Sequence, residues 1–197
     1  MQPPFLELAF YVGLDRMSEA LASIASTMGS ESRSGRARIV EFKGRPEEVH
    51  AVGGSVVVRT EGNDFCGPRR ANASRLEALG RQVYEGFVGI AGSIDCLYGA
   101  ILVEYTLEDP QELRRDPRSL AFRNFYLSRA RLPRTLVPRL LALVPPEAYV
   151  RELDHGVYVS MSREFNPEGR GIESERGQYI STDIARAIGE ALAASSG

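Results

Sequence analysis

The stretch LYGAILVEYT, residues 97–106, is the most hydrophobic strand-like segment of the sequence. Its apolar residues follow one another without regular alternation with polar ones, a pattern typical of strands that are buried on both faces. The stretch therefore predicts a strand in the middle of a sheet.

On both sides of this segment, the spacing of apolar residues predicts further strands and helices. Before it, the predicted elements are a strand over 6–12, a helix capped by Asp15, strands over 38–43 and 55–60 with a turn at Gly53-Gly54, and a long helix carrying Leu76 to Ile90. After it, they are a strand over 122–130, a short helix from Pro133, a hairpin of 148–153 and 157–161, and a final helix capped by Ser181 or Thr182.

The element order is β-α-β-β-α-β followed by β-α-β-β-α, which predicts an α+β fold with a mainly antiparallel sheet and ferredoxin-like units. We expect a first unit over 1–106, a Pro-containing, charged linker over 107–121, and a second unit over 122–197, fused into one globular domain. The second unit partly repeats the first, with Phe65 opposite Phe165 and Arg69 opposite Arg170. Internal duplication and the convergence of two ordinary units both account for this repeat.

Composition argues against several functional classes. The net charge is −2 and the pI is about 5.8, so the overall charge does not favour binding to nucleic acid or to an anionic membrane. No apolar run approaches the ~18 residues of a spanning helix. The N-terminal stretch lacks the features of a secretory signal and only two cysteines occur, so we expect a cytoplasmic protein with reduced thiols.

Residues that carry catalysis or bind metals form no recognisable motif. Cys66 is near arginines in sequence, but a catalytic cysteine needs a base, and the only histidines are His50, in a strand-like segment, and His155, in a turn. There is no metal-ligand spacing and no glycine-rich phosphate-binding fingerprint. The sequence therefore predicts no catalytic residue, no metal site and no cofactor, and it favours a protein that binds without catalysis.

The segment FNPEGRGIESERGQY, residues 165–179, is a polar stretch predicted to connect a strand to the last helix. If the two units are equivalent, Arg69 and Arg70 lie in the corresponding connection of the first unit. Together with Arg170 and Arg176 they could hold a carboxylate or phosphate in a cleft between the halves, as in a small-ligand enzyme or sensor. The other interpretation is a surface loop whose Glu173 and Glu175 meet a basic protein partner.

The C-terminal third, over residues 122–192, resembles the Imm52-type immunity proteins of bacterial polymorphic toxin systems. The resemblance rests on the order of elements and on a few residues, namely Phe125-Tyr126, Leu132-Pro133, Val157 to Val159 and Phe165-Asn166. It implies a non-catalytic α+β protein of a toxin–antitoxin type of system, which binds and neutralises a cognate toxin.

Overall fold

The computed structural model of the chain describes residues 4–27, 48–52, 54–62, 64–66 and 72–194. The described residues form one seven-stranded antiparallel sheet and five α-helices, so the predicted α+β class is confirmed. The strands are β1 (Phe5–Tyr11), β2 (Glu48–Val52), β3 (Ser55–Glu61), β4 (Tyr98–Val103), β5 (Asn124–Ser128), β6 (Tyr149–Leu153) and β7 (Gly156–Ser160). The helices are α1 (Met17–Thr27), α2 (Ala73–Ser93), α3 (Pro110–Arg115), α4 (Leu136–Leu141) and α5 (Ser174–Ala194).

The hydrophobic segment around residue 100 is the central strand, as predicted. The strands lie in the order β2-β3-β1-β4-β5-β7-β6, so β4 has three strands on each side. Tyr98, Ala100 and Leu102 point into one core, whereas Ile101 points into the other. Burial on both faces explains why this strand does not alternate between polar and apolar residues.

Each side of β4 repeats the same connectivity. β1 and β5 both pair antiparallel with β4, and each is followed outward by the later and then the earlier strand of a hairpin. Helices α1 and α2 cover one face of the sheet and α4 and α5 cover the other. The two sides are therefore related by a half-turn about β4.

The residue equivalences predicted from the internal repeat do not follow this half-turn. The rings of Phe65 and Phe165 stack on each other with centroids 5.2 Å apart, in the core on the α1–α2 face. A half-turn about β4 would place equivalent residues on opposite faces. The shared connectivity is present, while duplication of the sequence itself stays a prediction.

Two local predictions differ from the structure, and a third is not tested by it. The stretch predicted as a linker over 107–121 contains α3, which begins with a capping box between Asp109 and Glu112 and buries Leu113. Helix α5 begins at Ser174, so Ser181, predicted to cap it, is a fully buried residue within the helix. The hairpin strand before β3 covers 48–52, while the predicted strand over 38–43 lies outside the described residues.

The close packing of α2 is set by one glycine. A β-carbon built on Gly80 would lie 1.9 Å from the carbonyl oxygen of Glu164, in the short 3-10 turn Arg163–Phe165. Gly80 therefore packs directly against the backbone of this turn. The contact joins the first unit to the segment that leads into residues 166–173.

Candidate functional site

Residues 166–173, which we call the Asn166 loop, are shaped by one buried side chain. Asn166 is 4% exposed, and its carboxamide oxygen accepts hydrogen bonds from the backbone N–H groups of Glu168 and Arg170, both at 3.1 Å. Its Nδ2 donates to the carbonyl oxygens of Ser162, at 2.9 Å, and Arg170, at 2.8 Å. Two short donated bonds and two accepted bonds, with a longer contact of 3.4 Å from Nδ2 to the hydroxyl of Ser160, use the full capacity of the side chain. The loop is thus ordered without belonging to a helix or strand.

Two further features hold the same loop. Gly169 has a φ of +62°, in the left-handed region that favours glycine. Before the loop, the buried hydroxyl of Tyr158 donates to the carbonyl of Phe165 at 2.7 Å. Burial raises the pKa of Tyr158 well above 10.0, so this hydroxyl keeps its proton and remains a donor.

The Asn166 loop and the start of α5 present charged side chains to solvent. Arg170 donates to the carbonyl of Pro146 and lies 3.7 Å from Glu168. Arg176 lies 3.8 Å from Glu147. Glu173 and Glu175 are exposed and have no ion-pair partner among the described residues. The arginines are therefore engaged with residues 146–147 and 168, and the two glutamates leave the surface locally acidic.

Of the four arginines predicted to chelate an anion, the structure describes Arg170 and Arg176. Arg170 lies beside Pro146 and Arg176 beside Glu147. Arg69 and Arg70 lie outside the described residues. Convergence of the two connections on one anion thus stays a prediction.

A cavity of about 450 Å³ lies between the two units of the fold. Its apolar wall includes Phe65 and Leu76 from the first unit and Phe165 and Ile172 from the second. Its polar groups are Arg123, Asn124, Ser162, Arg163, Glu164 and Ser174. The sequence-based hypothesis of a cleft between the halves thus has a counterpart here, with a different pair of arginines.

Arg123 is the least satisfied polar group of this cavity. Its Nε is buried and has no hydrogen-bond partner, and its side chain forms no ion pair with a described residue. A β-carbon built on Gly177, in the first turn of α5, would lie 3.6 Å from that nitrogen. The side chain is therefore held against a helix N-terminus, whose dipole disfavours a cation.

A tyrosine cluster with an arginine lies on the α2 side of the sheet. The hydroxyls of Tyr84 and Tyr149 are 3.2 Å apart, and Arg151 donates to the Tyr84 hydroxyl at 2.5 Å. Burial, followed by the hydrogen bond to Tyr84, raises the pKa of Tyr149 to about 12. At neutral pH this hydroxyl is protonated, and the cluster acts as a hydrogen-bonded part of the core.

The thiols and the described histidine side chain form no catalytic pair in the structure. Cys66 donates to the carbonyl oxygen of Gly62 at 3.3 Å. Cys96 is buried, and this burial raises the pKa of its thiol from 9.0 to about 12. His155 is exposed in the β6–β7 turn, and His50 lies in β2. Within the described ranges, no three or more His, Cys, Asp or Glu side chains gather as a metal site.

Comparison with known proteins gives no match: no family model, no curated protein and no solved structure is significantly similar to this chain. Among the helices in the described part of the chain, none combines the length and apolar character needed to cross a bilayer.

The sequence pattern did not indicate which residues shape the Asn166 loop and which arginines line the cavity. Asn166 had a usable signal, because Asn-Pro-Glu-Gly is typical of a turn in which the asparagine side chain accepts backbone hydrogen bonds. Arg123 and Arg163 had no comparable signal. Their position beside the cavity depends on how β5 and the turn before the Asn166 loop pack, which no local pattern encodes.

Proposed function

We propose that this chain is a non-catalytic, immunity-like binding protein that docks on a cognate protein partner through the Asn166 loop and the first turn of α5. The observation that carries the proposal is the combination of order and exposure in this loop. A single buried asparagine fixes its backbone, while its charged side chains face solvent.

A fixed loop favours recognition because little conformational entropy is lost when it binds. Function-bearing loops are commonly held in this way by a rigid scaffold. The unpaired carboxylates of Glu173 and Glu175 suit a partner with a basic surface, since complementary charge speeds encounter and fixes orientation. The resemblance to bacterial immunity proteins includes Phe165-Asn166, the segment that anchors this loop, and it suggests a toxin met in the cytoplasm as that partner.

The test uses the product of the adjacent gene as the partner. We expect the purified proteins to form a complex, and the Glu173→Lys/Glu175→Lys variant to bind about tenfold or more weakly, which corresponds to ~1.4 kcal/mol. The matched control is Glu77→Lys/Glu85→Lys, which makes the same charge change on exposed positions of α2. Titration calorimetry measures both affinities.

A second readout addresses neutralisation. Cells that express the adjacent gene product should stop growing, and co-expression of the wild-type chain should restore growth better than co-expression of the loop variant. Absence of a complex with that product, or equal loss of affinity in the loop variant and the α2 control, would contradict the proposal.

A further inference from the structure

The cavity between the two units is lined by a cation, Arg123, whose charge is not balanced by an ion pair with a described residue. Arg123 and Arg163 both line it, and neither forms an ion pair with a described residue. Glu164 is the acidic residue of the described lining and has an interaction of its own. Among the described lining residues, two arginines and one glutamate give a net charge of +1.

The position of Arg123 makes an unfilled cavity unfavourable. A buried guanidinium N–H without an acceptor carries an uncompensated cost of desolvation. The neighbouring first turn of α5 adds unsatisfied backbone N–H groups and the positive end of the helix dipole. An anion placed beside Arg123 would satisfy the guanidinium and interact favourably with the helix start at the same time.

Hydroxyl groups and the second arginine extend this polar end. Ser162 and Ser174 line the cavity, and Arg163 comes from the turn that Gly80 packs against. Guanidinium groups hold carboxylates and phosphates through paired N–H groups, and serine hydroxyls add donors that adjust by rotation. The polar end therefore fits a compact oxyanion.

The rest of the cavity is apolar and has the size of a small-molecule site. The stacked rings of Phe65 and Phe165, with Leu76 and Ile101, form its wall, and Tyr105 lines it while remaining 49% exposed. Cavities that bind small molecules typically measure roughly 300–1,000 Å³ and combine an apolar wall with a few polar groups. An inorganic anion alone would leave this wall unused.

We propose that the cavity binds a small organic anion, a phosphate monoester or carboxylate attached to an apolar, preferably aromatic, body. Arg123 anchors the oxyanion, Arg163 assists it, and the body lies against the phenylalanine rings. This ligand site goes beyond the protein recognition proposed for the Asn166 loop and uses different charged side chains, although Ile172 of the loop and Ser174 of α5 line the cavity.

The experiment measures thermal unfolding and calorimetric binding with four probes. Phenyl phosphate and benzoate carry both parts of the ligand, inorganic phosphate carries the anion alone, and benzyl alcohol carries the ring alone. We expect phenyl phosphate or benzoate to raise the Tm in proportion to the logarithm of its concentration, with an affinity at least tenfold above those of the two fragments. The comparison of the first two probes distinguishes a phosphate from a carboxylate head group.

Substitutions then locate the site. Arg123→Gln should lower the affinity for the best probe at least tenfold and Arg163→Gln several-fold, while Arg139→Gln, an exposed control on α4, should leave it unchanged. Because Arg123 is an unpaired, partly buried cation in the free protein, Arg123→Gln should not lower the Tm without ligand. Arg123→Lys keeps the charge but loses the planar fork, so it should fold and bind weakly.

Two results would overturn the proposal: no binding of either aromatic anion, or binding that Arg123→Gln and Arg123→Lys leave intact. Phosphate binding as tightly as phenyl phosphate would refute the role of the apolar wall. Because Glu173 and Glu175 flank Ser174 of the cavity lining, the loop variant Glu173→Lys/Glu175→Lys should bind the anionic probes at least as tightly as the wild type. Failure of the ligand site can thus be told apart from failure of the recognition loop.

Discussion

Asn166 shows how one side chain determines the shape of an exposed segment. Its four hydrogen bonds replace the backbone ladder that a helix or strand would supply. Because the carboxamide is buried, water cannot substitute for any bond that is lost. The order of the loop, and hence its suitability for recognition, depends on this residue.

Replacing Asn166 should loosen the loop and destabilise the protein. We expect Asn166→Leu to lower the free energy of unfolding by about 2–4 kcal/mol, since four bonds of ~1 kcal/mol each are lost and backbone groups are left unsatisfied. Urea unfolding measures this loss. Hydrogen exchange should show faster exchange at the amides of Glu168 and Arg170, which donate to the side chain.

Asn166→Asp is the informative control for that substitution. It retains the accepting oxygen but cannot donate to the carbonyls of Ser162 and Arg170 when ionised. We expect the amides of Glu168 and Arg170 to remain protected in Asn166→Asp and to lose protection in Asn166→Leu. Equal protection in wild type and Asn166→Leu would show that the loop is held by other contacts.

Single helices in this fold are positioned by close backbone approaches. Helix α2 meets the turn Arg163–Phe165 at Gly80, where only a residue without a β-carbon fits. The same turn supplies Arg163 and Phe165 to the cavity. The placement of α2 and the geometry of the cavity are therefore linked.

Gly80→Ala should destabilise the protein although alanine is the better helix former. The added β-carbon would overlap the carbonyl oxygen of Glu164, so the turn must move, at a cost of about 1–3 kcal/mol or more. Gly89→Ala, in the same helix, is the matched control, because no atom lies within 4 Å of its β-carbon position. It should be neutral or stabilising by up to ~1 kcal/mol. If urea unfolding gave the same midpoint for both variants, the close contact at Gly80 would be disproved.

Elements with a regular spacing of apolar residues could be predicted from the sequence. Elements that are recognised only by the capping residues at their ends could not. The central strand, the α2 stripe and the β6–β7 hairpin were found because their apolar residues face a core directly. The sequence pattern of α3 predicts part of a linker, because Pro110 at the helix start resembles a proline that breaks a helix.

The candidate site shows the same division. The first turn of α5 begins with polar and exposed residues, so the sequence pattern predicts a loop over residues 165–179. In the structure the helix already begins at Ser174. A cavity lies between the halves, and Arg123 and Arg163 line it as a result of tertiary packing, while the anion site expected at Arg69, Arg70, Arg170 and Arg176 stays a prediction. Sequence separation of 58 residues or more between Phe65 and these arginines leaves no local pattern to detect.

At the scale of the whole molecule, both faces of the sheet bury groups that ionise at high pH. Burial raises the pKa of Tyr98, Tyr126 and Tyr158 above 10.0, and that of Cys96 from 9.0 to about 12. These groups are distributed between the two cores, so ionisation of any of them places a charge in the packed interior on one face of the sheet.

Stability should therefore fall in alkaline solution. Each of these groups keeps its proton in the folded state at a pH where the unfolded chain loses it, so their contribution is complete below about pH 9 and is lost as the pH rises toward 12. Each such group lowers the free energy of unfolding by about 1.4 kcal/mol per pH unit between its pKa in the unfolded chain and its pKa in the folded protein. Urea unfolding at a series of pH values measures the slope, and ultraviolet absorbance reports tyrosine ionisation.

Cys96→Ala separates the thiol from the tyrosines. Between pH 9 and 10, where the tyrosines of the unfolded chain are still largely protonated, its stability should vary less with pH than that of the wild type. Stability that stays constant up to about pH 11 would contradict the raised pKa values.

The position of β4 also has a consequence for synthesis on the ribosome. Once residue 103 has emerged from the ribosome, β4 can pair with β1, but its other edge has no partner until residues 124–128 of β5 have also emerged. During that interval the nascent chain displays an apolar strand edge, which a neighbouring nascent chain can extend. The rate at which residues 104–123 emerge, and the spacing of ribosomes on the message, should therefore influence how much of the protein forms the complete sheet.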